Sequence, residues 1–274
     1  MGHMKHKYLF LVYALLIGAT LLTPLVFWQG LFSPFQSGKF FFFCGLIELI
    51  FPLYLFFLIR YKNLRPSKSQ LLLLFLCGFV LVQIISTVLG ENIFHSFWGR
   101  TQRLGGLFLY LHFTTFFFYL LLLFQAKREW MNRFIELVVL VASLISIHAI
   151  LEGAGVILPF DVAYMPRVIG LVGNPVLLAG YLTIPLFLSG YLFVNAQVRW
   201  KLIASLIAFW LILITIILTG TRGAFVGIGF GVLISAVSYL LLSKKIDWKK
   251  VGIGAALLVL IGGGAFALMR YGSP

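Results

Sequence analysis

The sequence has little charge and almost no cysteine. Charged residues make up 10% of the 274 residues, and only seven are acidic. Soluble domains average about 25% charged residues, so this chain has too little polar material to cover a water-soluble globule of its size. Its two cysteines, Cys44 and Cys77, both lie in apolar runs. This placement argues against a disulfide framework and against a cysteine-based metal site, so we expect both to be packing residues.

The sequence also lacks the pattern of a membrane β-barrel. Strands of such a barrel alternate apolar and polar residues over about ten positions. Segments such as Leu71 to Leu76 and Phe40 to Phe43 are apolar throughout. Membrane-spanning strands are therefore excluded, and the apolar runs are predicted to be helices.

Long apolar runs are what the sequence has in abundance. Hydrophobic residues make up 62% of the chain, and the mean hydropathy is +1.07. A bilayer core about 30 Å thick needs about 20 helical residues, and runs of that size recur along the whole chain. The sequence thus predicts an all-α, polytopic transmembrane bundle with nine spans, at residues 8–28, 39–59, 70–89, 107–124, 134–151, 176–194, 202–219, 224–242 and 251–269.

The predicted organisation is a single transmembrane domain over residues 8–270, preceded by a cytosolic N-terminal segment, residues 1–7. The opening Met1-Gly2-His3-Met4 resembles the remnant of an expression vector ahead of a natural start at Met4. The first apolar run lacks a small-residue cleavage site followed by a soluble domain, so we predict a first span and no removed signal peptide.

The net charge of +14 has a topological explanation. On a soluble protein it would suggest a nucleic-acid partner, but membrane proteins concentrate Lys and Arg in their cytosolic loops. With the N-terminus in the cytosol and the C-terminus outside, fifteen of the 21 basic residues fall in cytosolic loops, and we expect no nucleic-acid partner. Six fall outside and need another explanation: Lys39, Arg100, Arg103, Arg167, Arg222 and Arg270.

The first outer motif runs from Ser96 to Gly106, directly before the predicted fourth span. If this stretch is helical, Arg100 and Arg103 are three residues apart and face the same way. Two guanidinium groups suit a phosphate or diphosphate, because each donates two parallel hydrogen bonds to anionic oxygens. The alternative is that both arginines contact lipid headgroups. Trp98 would then be an aromatic residue at the same membrane interface.

The second outer motif begins at Arg167 and ends at Asn174-Pro175. Two intervening glycines permit turns, and the Asn-Pro pair indicates that a helix starts there. The free N–H groups of a helix N-terminus at the outer surface favour a bound anion. The alternatives are an ordinary junction with Asn174 as the N-cap, and an ion pair between Arg167 and Asp161.

The third outer motif, Thr219 to Ala224, is so short that Arg222 must lie at the membrane rim or dip into the protein. An arginine near hydrocarbon costs about 2.5–3.5 kcal/mol at the centre of a helix and less toward its edge. Because Arg222 is flanked by glycines, we predict that it lines a polar cavity or binds a ligand.

Together, the three motifs resemble the O-antigen ligase family, membrane glycosyltransferases of the GT-C type whose relatives include polysaccharide polymerases and protein O-oligosaccharyltransferases. The resemblance covers the N-terminal and central spans. It is carried by Trp98-Gly99-Arg100 through Gly106, by Arg167-x-x-x-Leu171 with Gly173-Asn174-Pro175, and by Thr219 through Ala224, where the family commonly has Ser-Arg-Gly.

The resemblance implies transfer of a glycan from a polyprenyl (undecaprenyl) diphosphate carrier to a hydroxyl acceptor, at the outer face of the bacterial cytoplasmic membrane. The implied partners are a lipid-linked oligosaccharide donor, membrane lipids, and an acceptor on a lipid A core, a protein or a glycan. Arg167 and Arg222 would hold the diphosphate as the catalytic residues, with Arg100, Arg103 and Asn174 as substrate-binding residues. Fixed guanidinium groups stabilise a departing diphosphate, so neither a metal nor a cofactor is expected.

The acceptor-activating base has no clear candidate in the sequence. The resemblance implies a histidine in a large outer loop that would begin near Pro274, so we expect the chain to be an incomplete part of a longer domain and to be inactive alone. Among the internal histidines, His95 near Arg100 is a candidate base, although an interfacial aromatic role is favoured. His112 and His148 are expected to form hydrogen bonds between helices.

Other functions stay open. A secondary transporter or flippase would use Glu48, which lies in the middle of the second span and must be protonated or partnered, together with the glycine-rich ninth span. Against this, the spans show no internal repeat, and the polar residues cluster at the outer edge, away from the midplane where transporters bind. A polysaccharide polymerase and a structural membrane subunit are further alternatives.

Overall fold

A computed structural model describes residues 2–61, 70–100, 103–156 and 167–242 of the chain. Within these ranges all regular structure is helical, with no strand, which confirms the predicted all-α class for this part of the chain. Two 3-10 turns, Thr23–Leu25 and Gly170–Val172, accompany nine α-helices. These are α1 (Gly2–Thr20), α2 (Ser37–Arg60), α3 (Gln70–Val88), α4 (Ile93–Trp98), α5 (Leu107–Ala126), α6 (Glu129–Gly153), α7 (Pro175–Val194), α8 (Arg199–Leu218) and α9 (Arg222–Leu242).

Five of the described helices, α2, α5, α6, α7 and α8, are long and apolar enough to cross a membrane. Helices α1, α3 and α9 contain shorter apolar stretches. Each of the first eight predicted spans overlaps one of these eight helices, whereas the ninth, 251–269, lies outside the described residues. The total of nine spans and the orientation of the termini stay predictions.

The first predicted span, 8–28, is wrong at its C-terminal end, because α1 ends at Thr20. The amides of Leu21 and Leu22 bond to carbonyls three residues back, at 3.1 Å each, as the last turn tightens. Pro24 follows within the 3-10 turn. Proline has no N–H to donate and disfavours helical conformation in the residue before it, which favours an end of the helix before it.

The chain divides into two compact units, Met1–Val141 and Ala142–Pro274, and α6 crosses the boundary between them. The single domain predicted over residues 8–270 stays a prediction.

In the first unit, α1, α2 and α5 pack around a hydrophobic core that contains two fully buried tyrosines. The hydroxyl of Tyr13 donates to the carbonyl of Tyr119 at 2.9 Å, and the hydroxyl of Tyr119 donates to the carbonyl of Ile47 at 2.8 Å. A buried hydroxyl without a partner is costly, so these bonds fix how the three helices pack against one another.

In the second unit, α7 and α8 form a closely packed helical hairpin, and α9 packs against α7. The connection between α7 and α8, residues 195–198, and the connection between α8 and α9, residues 219–221, are both short. Short connections make successive helices antiparallel. The N-terminal ends of α7 and α9 therefore lie at the same end of this unit as the C-terminal end of α8.

Candidate functional site

Arg167 is held against the turn between α8 and α9. Its Nε donates to the carbonyl oxygen of Thr219 at 2.6 Å, and its Nη2 donates to Thr221 Oγ1 at 2.9 Å. Both threonines are buried, while Arg167 itself remains exposed. Two of the five guanidinium N–H bonds are thus committed to the turn, and the other three have no partner among the described residues.

Thr221 links this turn to the start of α7. Its hydroxyl accepts from Arg167 and donates to the carbonyl of Pro175 at 3.3 Å. The turn itself contains Gly220 at φ +59°, a left-handed conformation that favours glycine, and a Cβ there would lie 3.5 Å from Arg167 Nε. The second and third outer motifs, predicted separately from the sequence, therefore meet at one end of the second unit.

Glu152, in the last turn of α6, anchors the backbone that follows Arg167. Its carboxylate accepts from the amide of Ile169 at 3.1 Å and from the amide of Gly170 at 2.8 Å. Gly170 begins the 3-10 turn, so the carboxylate satisfies N–H groups at a helical N-terminus, where negative charge is favoured. The acid therefore positions the loop by binding its backbone.

Arg222 is the first residue of α9 and is exposed. No ion pair or side-chain hydrogen bond joins it to another described residue. A cation at a helix N-terminus faces the positive end of the helix dipole, which is unfavourable unless an anion lies in front of both. The location of Arg222 therefore favours an anionic ligand.

Asn174 acts as the N-cap of α7. Its Oδ1 accepts from the amides of Val176 at 2.9 Å and Leu177 at 3.2 Å, and Pro175 occupies the first helical position. An ordinary loop-to-helix junction with Asn174 as the N-cap is the alternative to an anion site that the sequence analysis gave. Only the amide nitrogen of Asn174 remains to contact a ligand, so its predicted substrate-binding role stays a prediction.

These residues are called the arginine cluster below: Glu152, Arg167, Asn174, Thr219, Thr221 and Arg222. The predicted alternative partner of Arg167, Asp161, lies outside the described residues.

Arg100 and Arg103 lie in the first unit, in a loop and not in a helix. Helix α4 ends at Trp98, and the next residue, Gly99, has φ +82°. The amides of Arg103 and Leu104 both bond to the carbonyl of Arg100, at 2.9 and 2.8 Å, which closes a single turn. The shared direction of the two side chains was expected only for a helical stretch, and Arg100 and Arg103 are not helical, so it stays untested; both side chains are exposed.

Two glycines pin this loop at its base. A Cβ on Gly99 would lie 2.5 Å from the amide nitrogen of Gly105, and a Cβ on Gly106 would collide with the carbonyl oxygen of Phe97. Real Cβ atoms do not approach backbone atoms so closely, so the backbone can double back here only without side chains. We call the described residues between α4 and α5, 99–100 and 103–106, the glycine-pinned loop.

The internal histidines lie in different surroundings. His95 is exposed in α4, where its ring contacts that of Phe94. His112 in α5 lies close to Glu48 of α2, with 3.4 Å between Nε2 and Oε1, which agrees with the expectation that Glu48 is protonated or partnered. The ring of His112 hydrogen-bonds to the carbonyl oxygen of Phe108 in the same helix, so its expected hydrogen bond between helices stays a prediction. His148 lies in α6, and its expected hydrogen bond between helices also stays a prediction. No hydrogen bond or ion pair among the described residues joins a histidine to Arg167 or Arg222.

Sequence reasoning missed the roles of Glu152, Thr219 and Thr221. Glu152 binds two backbone amides across 17 and 18 residues. The one available signal was its position directly after the predicted span 134–151 and directly before a glycine.

Comparison with known proteins found no match: no protein-family model, no curated protein and no solved structure is similar to this chain.

Proposed function

We propose that the chain takes part in the transfer of a glycan from a polyprenyl diphosphate carrier to a hydroxyl acceptor at the outer face of the bacterial cytoplasmic membrane. The arginine cluster is the proposed diphosphate site. The observation that carries the proposal is the bonding of Arg167 to Thr219 and Thr221, because it places two arginine-bearing motifs at the same end of three apolar helices.

The charge distribution of the cluster supports an anionic ligand. Its only acidic side chain, Glu152, is committed to backbone amides and does not form an ion pair with either arginine. Arg167 and Arg222 therefore keep their charge uncompensated by any described carboxylate. Fixed donors of this kind stabilise negative charge without reorganising, and more strongly at a membrane edge than in bulk water.

The two arginines have different roles in this proposal. Arg167 uses part of its guanidinium group to hold the turn that carries Arg222, and presents the remainder to the ligand. Arg222, which has no partner among the described side chains, is the principal contact to the diphosphate. This division adds a structural role for Arg167 to the expectation that both arginines hold the diphosphate.

The proposed chemistry is substitution at the anomeric carbon of the donor glycan. The acceptor oxygen forms a bond to that carbon, the bond to the diphosphate oxygen breaks, and the polyprenyl diphosphate leaves with the electron pair. Negative charge grows on the leaving oxygen in the transition state, where guanidinium donors are most effective. The acceptor proton goes to a base that we do not assign to a described residue.

A test in cells compares Arg222→Ala and Arg167→Ala in the natural gene. Both variants are expected to lose attachment of the surface glycan, measured by gel mobility of the acceptor, while their amounts in the membrane stay unchanged. Arg199→Ala is the matched control, because Arg199 is also exposed and also begins an apolar helix, but at the opposite end of the second unit. Normal glycan display in Arg222→Ala would contradict the proposal.

One observation favours the alternative of a secondary transporter. Glu48, in the middle of α2, is paired with His112 of α5. A transporter would move substrate into liposomes without transferring a glycan, and Glu48→Gln would abolish that flux. Glycan transfer that survives Glu48→Gln and fails in Arg222→Ala would rule in favour of the transferase.

A further inference from the structure

Glu48 is an exposed carboxyl group in the middle of an apolar helix. Eleven residues of α2 precede it and twelve follow, so it lies about 17 Å from either end of the helix at 1.5 Å per residue. Its side chain is 65% exposed, whereas that of His112 is 12% exposed. An ionised carboxylate in such a place is strongly disfavoured unless its charge is compensated.

The structure defines which nitrogen of His112 carries a proton. Nδ1 lies 2.8 Å from the carbonyl oxygen of Phe108, which can only accept, so Nδ1 carries the hydrogen. The ring of Phe108 also packs against the imidazole, with centroids 4.3 Å apart. In the neutral ring Nε2 therefore has a free lone pair, and this nitrogen lies 3.4 Å from Glu48 Oε1.

The proton count follows from these two facts. With no additional proton, a carboxylate faces a lone pair and the pair carries a net charge of about −1. With two additional protons, the pair carries about +1. A single proton makes the pair neutral, either as a carboxylic acid donating to Nε2 or as a carboxylate accepting from an imidazolium, and neutrality is the favoured state in an apolar medium.

The neighbouring titratable groups that the structure describes are engaged in other contacts or lie elsewhere on these helices. The hydroxyls of Tyr13 and Tyr119 donate to backbone carbonyls. Cys44 lies one helical turn before Glu48 and is buried, and Lys39 Nζ donates to the carbonyl of Phe35. Further titratable or charged side chains on α2, α3, α4 and α5 are Tyr54, Arg60, Cys77, His95 and Tyr110, and α1, which packs against α2 and α5, adds Tyr8 among its described side chains.

We propose that Glu48 and His112 form an intramembrane proton-binding site in which one proton is shared between Glu48 Oε1 and His112 Nε2. The site takes its proton from the aqueous phase and exposes its carboxyl group at the surface of the first unit. It lies outside the arginine cluster and does not depend on glycan transfer.

The test uses dicyclohexylcarbodiimide, an apolar reagent that modifies protonated carboxyl groups within membranes, on the full chain in lipid nanodiscs. Peptide mass mapping should find Glu48 modified in the wild-type protein, with a yield that falls as the pH rises. Glu48→Gln should lose the modification. Glu91→Gln, which removes an exposed carboxyl group outside the helices, should leave the yield at Glu48 unchanged.

The role of His112 is tested with His112→Phe and, in case that variant does not fold, with His112→Asn. Either change should alter the extent of modification of Glu48 at a fixed pH by about tenfold, because Nε2 no longer lies beside Oε1. An unmodified Glu48 in the folded wild-type protein at every pH would overturn the proposal. An unchanged extent of modification in the folded histidine variants would overturn the sharing of the proton.

Discussion

Individual residues in this chain have structural roles that their chemical type alone does not predict. Arg167 was predicted as a ligand-binding cation, yet two of its donors hold the turn between α8 and α9. Glu152 shows the same principle, because its carboxylate binds two backbone amides and forms no ion pair with Arg167 or Arg222. Neither guanidinium group is therefore occupied by a described carboxylate.

The role of Glu152 leads to a prediction about stability. Glu152→Ala leaves the amides of Ile169 and Gly170 without their acceptor and should lower the free energy of unfolding by about 1–3 kcal/mol. Glu152→Gln, which keeps one carbonyl acceptor, should cost less. The measurement is denaturant unfolding in detergent micelles, with Glu91→Ala as the control acid. Equal stabilities of Glu152→Ala and Glu91→Ala would show that the bonds to the loop contribute nothing.

At the scale of elements, helices were predictable and the loops between them were not. Apolar runs located α2, α3, α5 and α7 to within two residues at their N-terminal ends, because helix length and burial in an apolar medium depend on composition. The conformation of the glycine-pinned loop depends on contact between Gly99 and Gly106, which no local pattern encodes. Arg100 and Arg103 were expected to face the same way only if this stretch was helical, and the described residues of the loop are not helical.

The glycine-pinned loop gives a prediction with an internal control. Gly99→Ala and Gly106→Ala each place a Cβ into backbone atoms, and Gly99 also has φ +82°, so each should cost about 1–3 kcal/mol of stability. Gly105→Ala should be tolerated, since its nearest neighbour is the Arg103 carbonyl oxygen at 4.0 Å. Thermal unfolding of the three variants distinguishes them. Comparable losses for Gly105→Ala and Gly106→Ala would contradict the described loop.

At the scale of the whole molecule, the sequence predicted membrane helices from composition and an anion site from three short motifs. In the structure, hydrogen bonds among Arg167, Thr221 and Pro175 join the second and third motifs. Alternating helix directions place both motifs at the same end of the second unit, but they do not determine these contacts. The first motif lies in the other unit, so Arg100 and Arg103 remain separate candidates for donor binding. The number of spans and the membrane orientation rest on the charge distribution of the loops.

The arginine cluster is proposed to bind a diphosphate, so the affinity of the chain for its polyprenyl diphosphate carrier should depend on these arginines. Undecaprenyl diphosphate binding to the purified chain in lipid nanodiscs should be about 10- to 100-fold weaker in Arg222→Ala than in the wild type, from the loss of charged hydrogen bonds worth about 1.5–3 kcal/mol. Arg167→Ala should weaken binding as well, and Arg199→Ala should leave it unchanged. Equal affinity of the wild type, Arg222→Ala and Arg199→Ala would contradict the assignment.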